Sequence, residues 1–269
     1  MTRGQGAVST LSSSITIAAQ TDIGCVRSNN EDCYAFEQGR CLAAVCDGMG
    51  GMAAGEVASK LAAETFLATF IEHPETTPLE LRLALAIRAA NDAVYACAQE
   101  SSLSMGTTLV AAAIEHGQLL IGNVGDSRAY LVRGGACMQL SVDHSYLSEV
   151  LRSGRVQLED LNSIDRQRFE ALITRAVGVG GDVEPDFFSL DLVSGDLILL
   201  TTDGLTRYFG CDDIAPMVSE DLDASCHALI AAAKARGGVD NITCLLMHYE
   251  ASAADDAAPA AEAQPEAAA

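Results

Sequence analysis

Residues 108–132, TLVAAAIEHGQLLIGNVGDSRAYLV, hold three β-like runs: Thr108 to Ile114, Gln118 to Val124 and Arg128 to Val132. His116-Gly117 separates the first two, and a further glycine turn, Gly134-Gly135, follows the third. Apolar runs joined by brief glycine-containing turns signal hairpins, so these strands are expected to pair antiparallel. Working outward, similar runs occupy Ile15 to Ala19, Cys41 to Cys46, Phe187 to Leu192, Leu197 to Thr201 and Ile242 to Tyr249. Two long helical patterns interrupt them. Val57, Leu61, Thr65, Phe66 and Phe70 recur at helical spacing, as do Leu83, Ile87, Ala90, Val94 and Ala98; a third helix is expected over Ala224 to Ala235. Thr77-Pro78-Leu79-Glu80 reads as the start of the second helix, with a cap residue, a first-turn proline and a capping-box acid. A parallel sheet needs strictly alternating βα units, which this order lacks, so the pattern predicts an α+β layered domain.

With 269 residues, 49% of them apolar, the chain can bury one sizeable core. Residues 1–13 and 251–269 are too poor in large apolar groups to offset ordering entropy, and read as a flexible arm and an Ala/Pro/acidic tail around a domain at 14–250. No apolar run reaches the roughly 18 to 20 residues of a membrane span, and no signal-type segment opens the chain, which favours the cytoplasm. Nine cysteines without a CxxC pair sit mostly in apolar runs, the pattern of reduced core residues. The formal charge of −21, from 16 basic and 37 acidic residues, opposes nucleic-acid phosphates and anionic lipid.

The acids are not scattered. Asp47 follows Leu42 to Cys46, Asp203 follows Leu197 to Thr202, Asp126 lies in GNVGDSR, Asp240 precedes the final strand in VDNIT, and Asp32 stands at the mouth of another short strand in RSNNEDCY. One aspartate at a strand end is an ordinary turn residue. Four or five brought to one sheet edge would repel by several kcal/mol at intermediate dielectric unless cations neutralised them. Oxygen-only donors with few histidines suit Mg²⁺ or Mn²⁺ rather than zinc. In CDGMGG (46–51) the glycines leave room for a carbonyl to approach such a cation. A tight turn or a phosphate loop stays open there, although GxxxxGK[ST] is absent. Arg27, five residues before Asp32, is either a surface partner of Glu31 or Asp32 or a planar clamp for a phosphoryl group.

The ordered blocks TDIGCVRSNNED (21–32), CDGMGG (46–51), SMGTTLVAA (104–112), GNVGDSRAYLVR (122–133), DHS (143–145), ITRAVG (173–178), LLTTDGLT (199–206) and DNIT (240–243) closely resemble the bacterial protein phosphatase 2C-like, or PPM, metal-dependent serine/threonine phosphatases. The resemblance implies a four-layer αββα sandwich of two antiparallel sheets flanked by helix pairs. It implies two catalytic Mn²⁺ or Mg²⁺ ions: Asp47 bridging both, the Gly48 carbonyl on one, and Asp203 and Asp240 on the other. Asp32, with Glu31 beside it, would act through metal-bound waters, Asp126 with Asp203 would form a third, weaker site, and Arg27 would bind the substrate phosphate. The implied reaction is in-line attack of a metal-bridging hydroxide on phosphoserine or phosphothreonine in proteins, reversing a bacterial serine/threonine kinase, with a monomer expected.

Two departures stand out. Met49 occupies the position where many eukaryotic members carry a histidine general acid, which leaves the proton donor unassigned. The flap, about 148–169, lacks the His-Pro pair frequent in bacterial relatives and instead carries Arg152, Arg155, Arg166 and Arg168, either a solvated face or an attractant for acidic substrate. His144 lies too close in sequence to Asp143 and Ser145 for a hydrolase triad and reads as a turn-stabilising residue. The competing functions are a non-catalytic phosphoprotein-binding pseudophosphatase and a two-metal nuclease, the latter disfavoured by the net charge.

Overall fold

The computed structural model describes residues 14–51, 54–154 and 156–251. The expected arm at 1–13, the tail beyond Ala251 and Arg155 of the flap cluster lie outside the described residues.

Two antiparallel sheets form the centre. The five-stranded sheet runs β1–β11–β10–β7–β8, with β1 Ser14–Asp22, β7 Arg128–Arg133, β8 Ala136–Gln139, β10 Asp196–Thr201 and β11 Ile242–Glu250. The six-stranded sheet contains β2 Asp32–Glu37, β3 Leu42–Gly50, β5 Leu109–Glu115, β6 Gln118–Val124 and β9 Asp186–Asp191 in the order β2–β3–β5–β6–β9, with β4 Met105–Thr107 paired to the end of β3. The expected hairpins are present: His116 and Gly117 at φ 50° and 74°, and Gly134 and Gly135 at φ 58° and 80°, supply the consecutive left-handed residues of a tight primed turn.

Three hydrophobic layers separate four structural ones. Along β3, Leu42, Ala44 and Cys46 face α1 (Ala54–Glu72) and α2 (Leu79–Ser101), while Ala43 and Val45 face the other sheet. Along β10, Ile198 and Leu200 meet the first sheet's partner, whereas Leu197 and Leu199 pack beneath α7 (Leu222–Ala235) with Leu229 and Ile230. Both faces are buried, which is why these antiparallel strands read as continuous apolar runs rather than as alternating ones. The architecture is the four-layer αββα sandwich.

Local readings needed correction at the helices. Phe66 and Phe70 are buried as expected, but Val57 is 47% exposed; the rest of the buried face of α1 is built from Ala54, Gly55, Ala58, Ala62 and Ala63, small residues that let the helix approach the sheet closely. At α2, Pro78 rather than Thr77 occupies the N-cap and makes no side-chain cap; buried Arg82 pins the entry by donating from Nε to the Thr77 carbonyl at 3.0 Å. Short helices that lacked a sequence signal are α3 (Tyr146–Arg152), α4 (Ser163–Glu170), α5 (Asp203–Thr206) and α6 (Cys211–Ile214). Of the nine cysteines, all free, only Cys46, Cys226 and Cys244 are fully buried, and Cys25 is exposed. No described helix is long and apolar enough to cross a membrane.

Candidate metal centre

The sandwich brings the acids to one edge from both sheets. Asp32 opens β2 and lies opposite Asp47 in the β2–β3 register. Asp203 opens α5 with only Thr202 between it and β10, Asp240 lies two residues before the start of β11, and Asp126 lies in the turn where the chain crosses from β6 to β7. Asp32 is buried; the other four are half-buried.

Hydroxyl-bearing residues inside the blocks fix these positions. Thr108 Oγ1 accepts from the Asp47 N–H at 2.9 Å, and Thr107 Oγ1 donates to the Asp47 carbonyl at 2.9 Å. Thr108 also contacts Ser127 at 2.7 Å, which joins the Asp47 strand to the Asp126 turn. Thr202 and Thr243 both donate to Asp32 Oδ2, at 2.9 and 2.7 Å, bridging the two sheets. None of these four threonines was singled out from sequence; their signal was their place inside SMGTT, TTDG and DNIT.

The loops carrying the acids approach so closely that two glycines are obligatory. A Cβ on Gly48 would lie 2.1 Å from the Gly55 carbonyl oxygen, and one on Gly204 would lie 1.8 Å from that of Asn241. Asn241 accepts from the Glu31 N–H at 2.8 Å and donates to the carbonyls of Ile23 and Asn29 at 3.0 and 2.9 Å. It thereby holds the β1–β2 loop that presents Arg27. The Arg27 guanidinium, 47% exposed, reaches neither Glu31 nor Asp32 but lies 2.9 Å from Asp240. A second guanidinium, Arg207, contacts Asp203 at 3.0 Å and comes within 3.9 Å of Asp240; sequence reasoning missed it.

Anionic charge is held under tension here. Burial, then the neighbouring carboxylates of Asp32, Asp203, Asp126 and Asp240, pushes the Asp47 carboxyl well above its ordinary range. Burial and the charges of Asp203 and Asp240 raise Asp32 to about 7 against its two hydroxyl donors, and burial with Asp203 and Asp143 raises Asp126 to about 7. Asp32 Oδ1 is buried without a hydrogen-bond partner. A crowded all-oxygen set with an orphaned carboxylate oxygen fits hard divalent cations. Among the described residues no three Asp, Glu, His or Cys side chains are arranged to hold an ion on their own. Mg²⁺ and Mn²⁺ sites do not require that, because one or two carboxylates with a carbonyl and waters complete an octahedron.

His144 takes the structural part: Nδ1 accepts from the Gly125 N–H at 3.1 Å, beside Asp126, and Nε2 lies 3.2 Å from Asp186. In the flap, Arg166 pairs with Glu170 at 3.1 Å on α4, an exposed pair of the solvated-face kind.

The family profile for protein phosphatase 2C matches residues 26–241. Protein phosphatase PhpP of Streptococcus pneumoniae is 33% identical over 239 residues, covering 86% of this chain and 96% of that protein. Serine/threonine phosphatase stp of Listeria monocytogenes is 36% identical over 244 residues, covering 86% and 94%. The crystal structure of the Mycobacterium tuberculosis serine/threonine phosphatase PstP/Ppp superposes with a TM-score of 0.79 at 35% identity, covering 88% of this chain and 99% of that one. The catalytic domain of PstP in complex with two manganese ions gives a TM-score of 0.78 at 34% identity, covering 89% and 100%.

Proposed function

The chain belongs to the bacterial PPM, or protein phosphatase 2C, family of serine/threonine protein phosphatases, and from that premise we propose how its own residues act and what they act on. The substrates are phosphoserine and phosphothreonine in proteins modified by a bacterial serine/threonine kinase, and the catalytic unit is residues 14–250. One observation carries the site assignment: carboxylates from both sheets meet at one edge with their carboxyls raised and Asp32 Oδ1 left without a partner.

Asp47 and the Gly48 carbonyl would hold one divalent cation, with Asp47 shared to a second held by Asp203 and Asp240. Asp126 with Asp203 is the candidate third position. Bound there, the cations would supply an acidified water and neutralise charge on the phosphoryl group. Asp32 Oδ1, with its partner oxygen fixed by Thr202 and Thr243, would orient a water by accepting a hydrogen bond from it. Arg27 would exchange Asp240 for the equatorial oxygens of the phosphoryl group, a planar fork meeting a planar array. The rigid Asn241 anchor keeps that guanidinium in reach.

The test is hydrolysis of a phosphothreonine peptide with Mn²⁺ and with Mg²⁺, each with a chelator control. Turnover that requires the metal supports the reading. Tight phosphopeptide binding without turnover would favour a pseudophosphatase.

A further inference from the structure

Arg207 belongs to no block that carries the family resemblance, yet its side chain enters the acid cluster. It follows α5, so it lies one helical turn beyond Asp203 on the same face. Its Nη2 lies 3.0 Å from Asp203 Oδ2 and 3.9 Å from Asp240 Oδ2. Arg27 Nη2 also meets Asp240, 2.9 Å from both of its carboxylate oxygens. Oδ2 of Asp203 and both carboxylate oxygens of Asp240 are therefore already contacted by tethered positive charge. The Asp47 half differs: among the described residues, no lysine or arginine pairs with Asp47.

We infer that Arg207 is a built-in competitor for the cation shared by Asp203 and Asp240, which makes the two metal positions unequal: a tight one at Asp47 and Gly48, and a weaker one that fills only when divalent ion displaces the guanidinium. This rests on the metal-centre reading above. The physical basis is mutual exclusion. A hard cation bonds oxygen at about 2.0 to 2.1 Å and cannot share that lone pair with an arginine Nη. Binding through Asp203 Oδ2 or Asp240 must break an ion pair that binding at Asp47 does not. The helix register makes the competition permanent, since Arg207 cannot diffuse away.

The experiment is a calorimetric titration of metal-stripped full chain with MnCl2, comparing wild type, Arg207→Gln and Arg88→Gln. Arg88 is exposed on α2 and supplies the same change in net charge away from the acids. The expected wild-type isotherm has two unequal classes of site. Arg207→Gln should tighten the weaker class about threefold to fivefold, the scale of a half-exposed ion pair, and leave the tighter class in place. Arg88→Gln should match wild type. An Arg207→Gln isotherm within twofold of wild type in both classes would overturn the inference, as would a tightening equalled by Arg88→Gln. Unchanged Mn²⁺ binding with weakened binding of inorganic phosphate would also overturn it, by assigning Arg207 to the substrate. No Mn²⁺ binding by wild type would instead refute the metal-centre reading itself. Far-ultraviolet circular dichroism of each variant establishes that the fold is retained.

Discussion

Replacing Asp32 by Asn should favour the metal-free protein increasingly as pH rises, by an amount that depends on pH in a defined way. Asp32 is 9% exposed, and its carboxyl is raised from 3.8 to about 7. Between those values the native state binds a proton that the unfolded chain does not, so this group's contribution to stability falls as pH rises through the window. Above the folded value the cost has its full size: 7 − 3.8 = 3.2 units, or about 4 kcal/mol at 1.36 kcal/mol per unit. At pH 5.5 it is the cost of protonating an acid of unfolded value 3.8, which is 1.7 units or about 2 kcal/mol. The neutral amide avoids both and its oxygen still accepts from Thr202 and Thr243, while its NH2 takes the place of the unpartnered Oδ1 at a cost of about 1 to 3 kcal/mol that does not vary with pH. Urea unfolding of chelated wild type and Asp32→Asn should therefore show the stability difference moving in the variant's favour by about 2 kcal/mol between pH 5.5 and pH 8. A difference that does not change with pH, or that moves in favour of wild type as pH rises, would refute the claim that anionic Asp32 is strained without a cation.

Three further outcomes follow from the same geometry. Asp203→Asn should lower Mn²⁺-dependent phosphopeptide turnover by orders of magnitude while Met49→Ala keeps most of it, because only the first removes a proposed ligand; steady-state kinetics at saturating Mn²⁺ compares them. Thr108→Val should cost about 1 to 3 kcal/mol in denaturant unfolding by stranding the Asp47 N–H, and should lower turnover as Asp47 loses its fixed position. Gly204→Ala should be among the most damaging single changes, about 3 kcal/mol or more, since its Cβ would lie 1.8 Å from a backbone oxygen; a soluble variant with a wild-type unfolding midpoint would contradict the packing described.

The hairpins and the five aspartates were legible because both rest on strong local signals: left-handed turn residues such as His116-Gly117, and acids abutting apolar runs. The core face of α1 was legible only in part, at Phe66 and Phe70; toward its start Gly55, Ala58 and Ala62 bury closely without large side chains, whereas periodicity is read from large ones such as Val57. Pro78 at the α2 N-cap was missed because the buried Arg82 overrides the usual side-chain cap. The supporting threonines and Asn241 act across more than sixty residues, as with Asp47 and Thr108, or across more than two hundred, as with Glu31 and Asn241. No local pattern encodes such partners. Arg207 was hidden for another reason: its meaning comes from a neighbour one turn away in a four-residue helix that sequence periodicity cannot detect.

The last strand occupies an inner place in its sheet, between β1 and β10. Asp240, Asn241 and Thr243 arrive with it, and Thr243 reaches Asp32 across 211 positions of chain. During synthesis, then, a nascent chain already holding Asp32, Asp47, Asp126 and Asp203 has neither a sealed sheet nor an anchored Arg27 loop. Closing a loop of that length carries an entropic cost that grows with its length. A molecule lacking its last strand would thus hold most of the acids without the closed sheet that brings them to one edge.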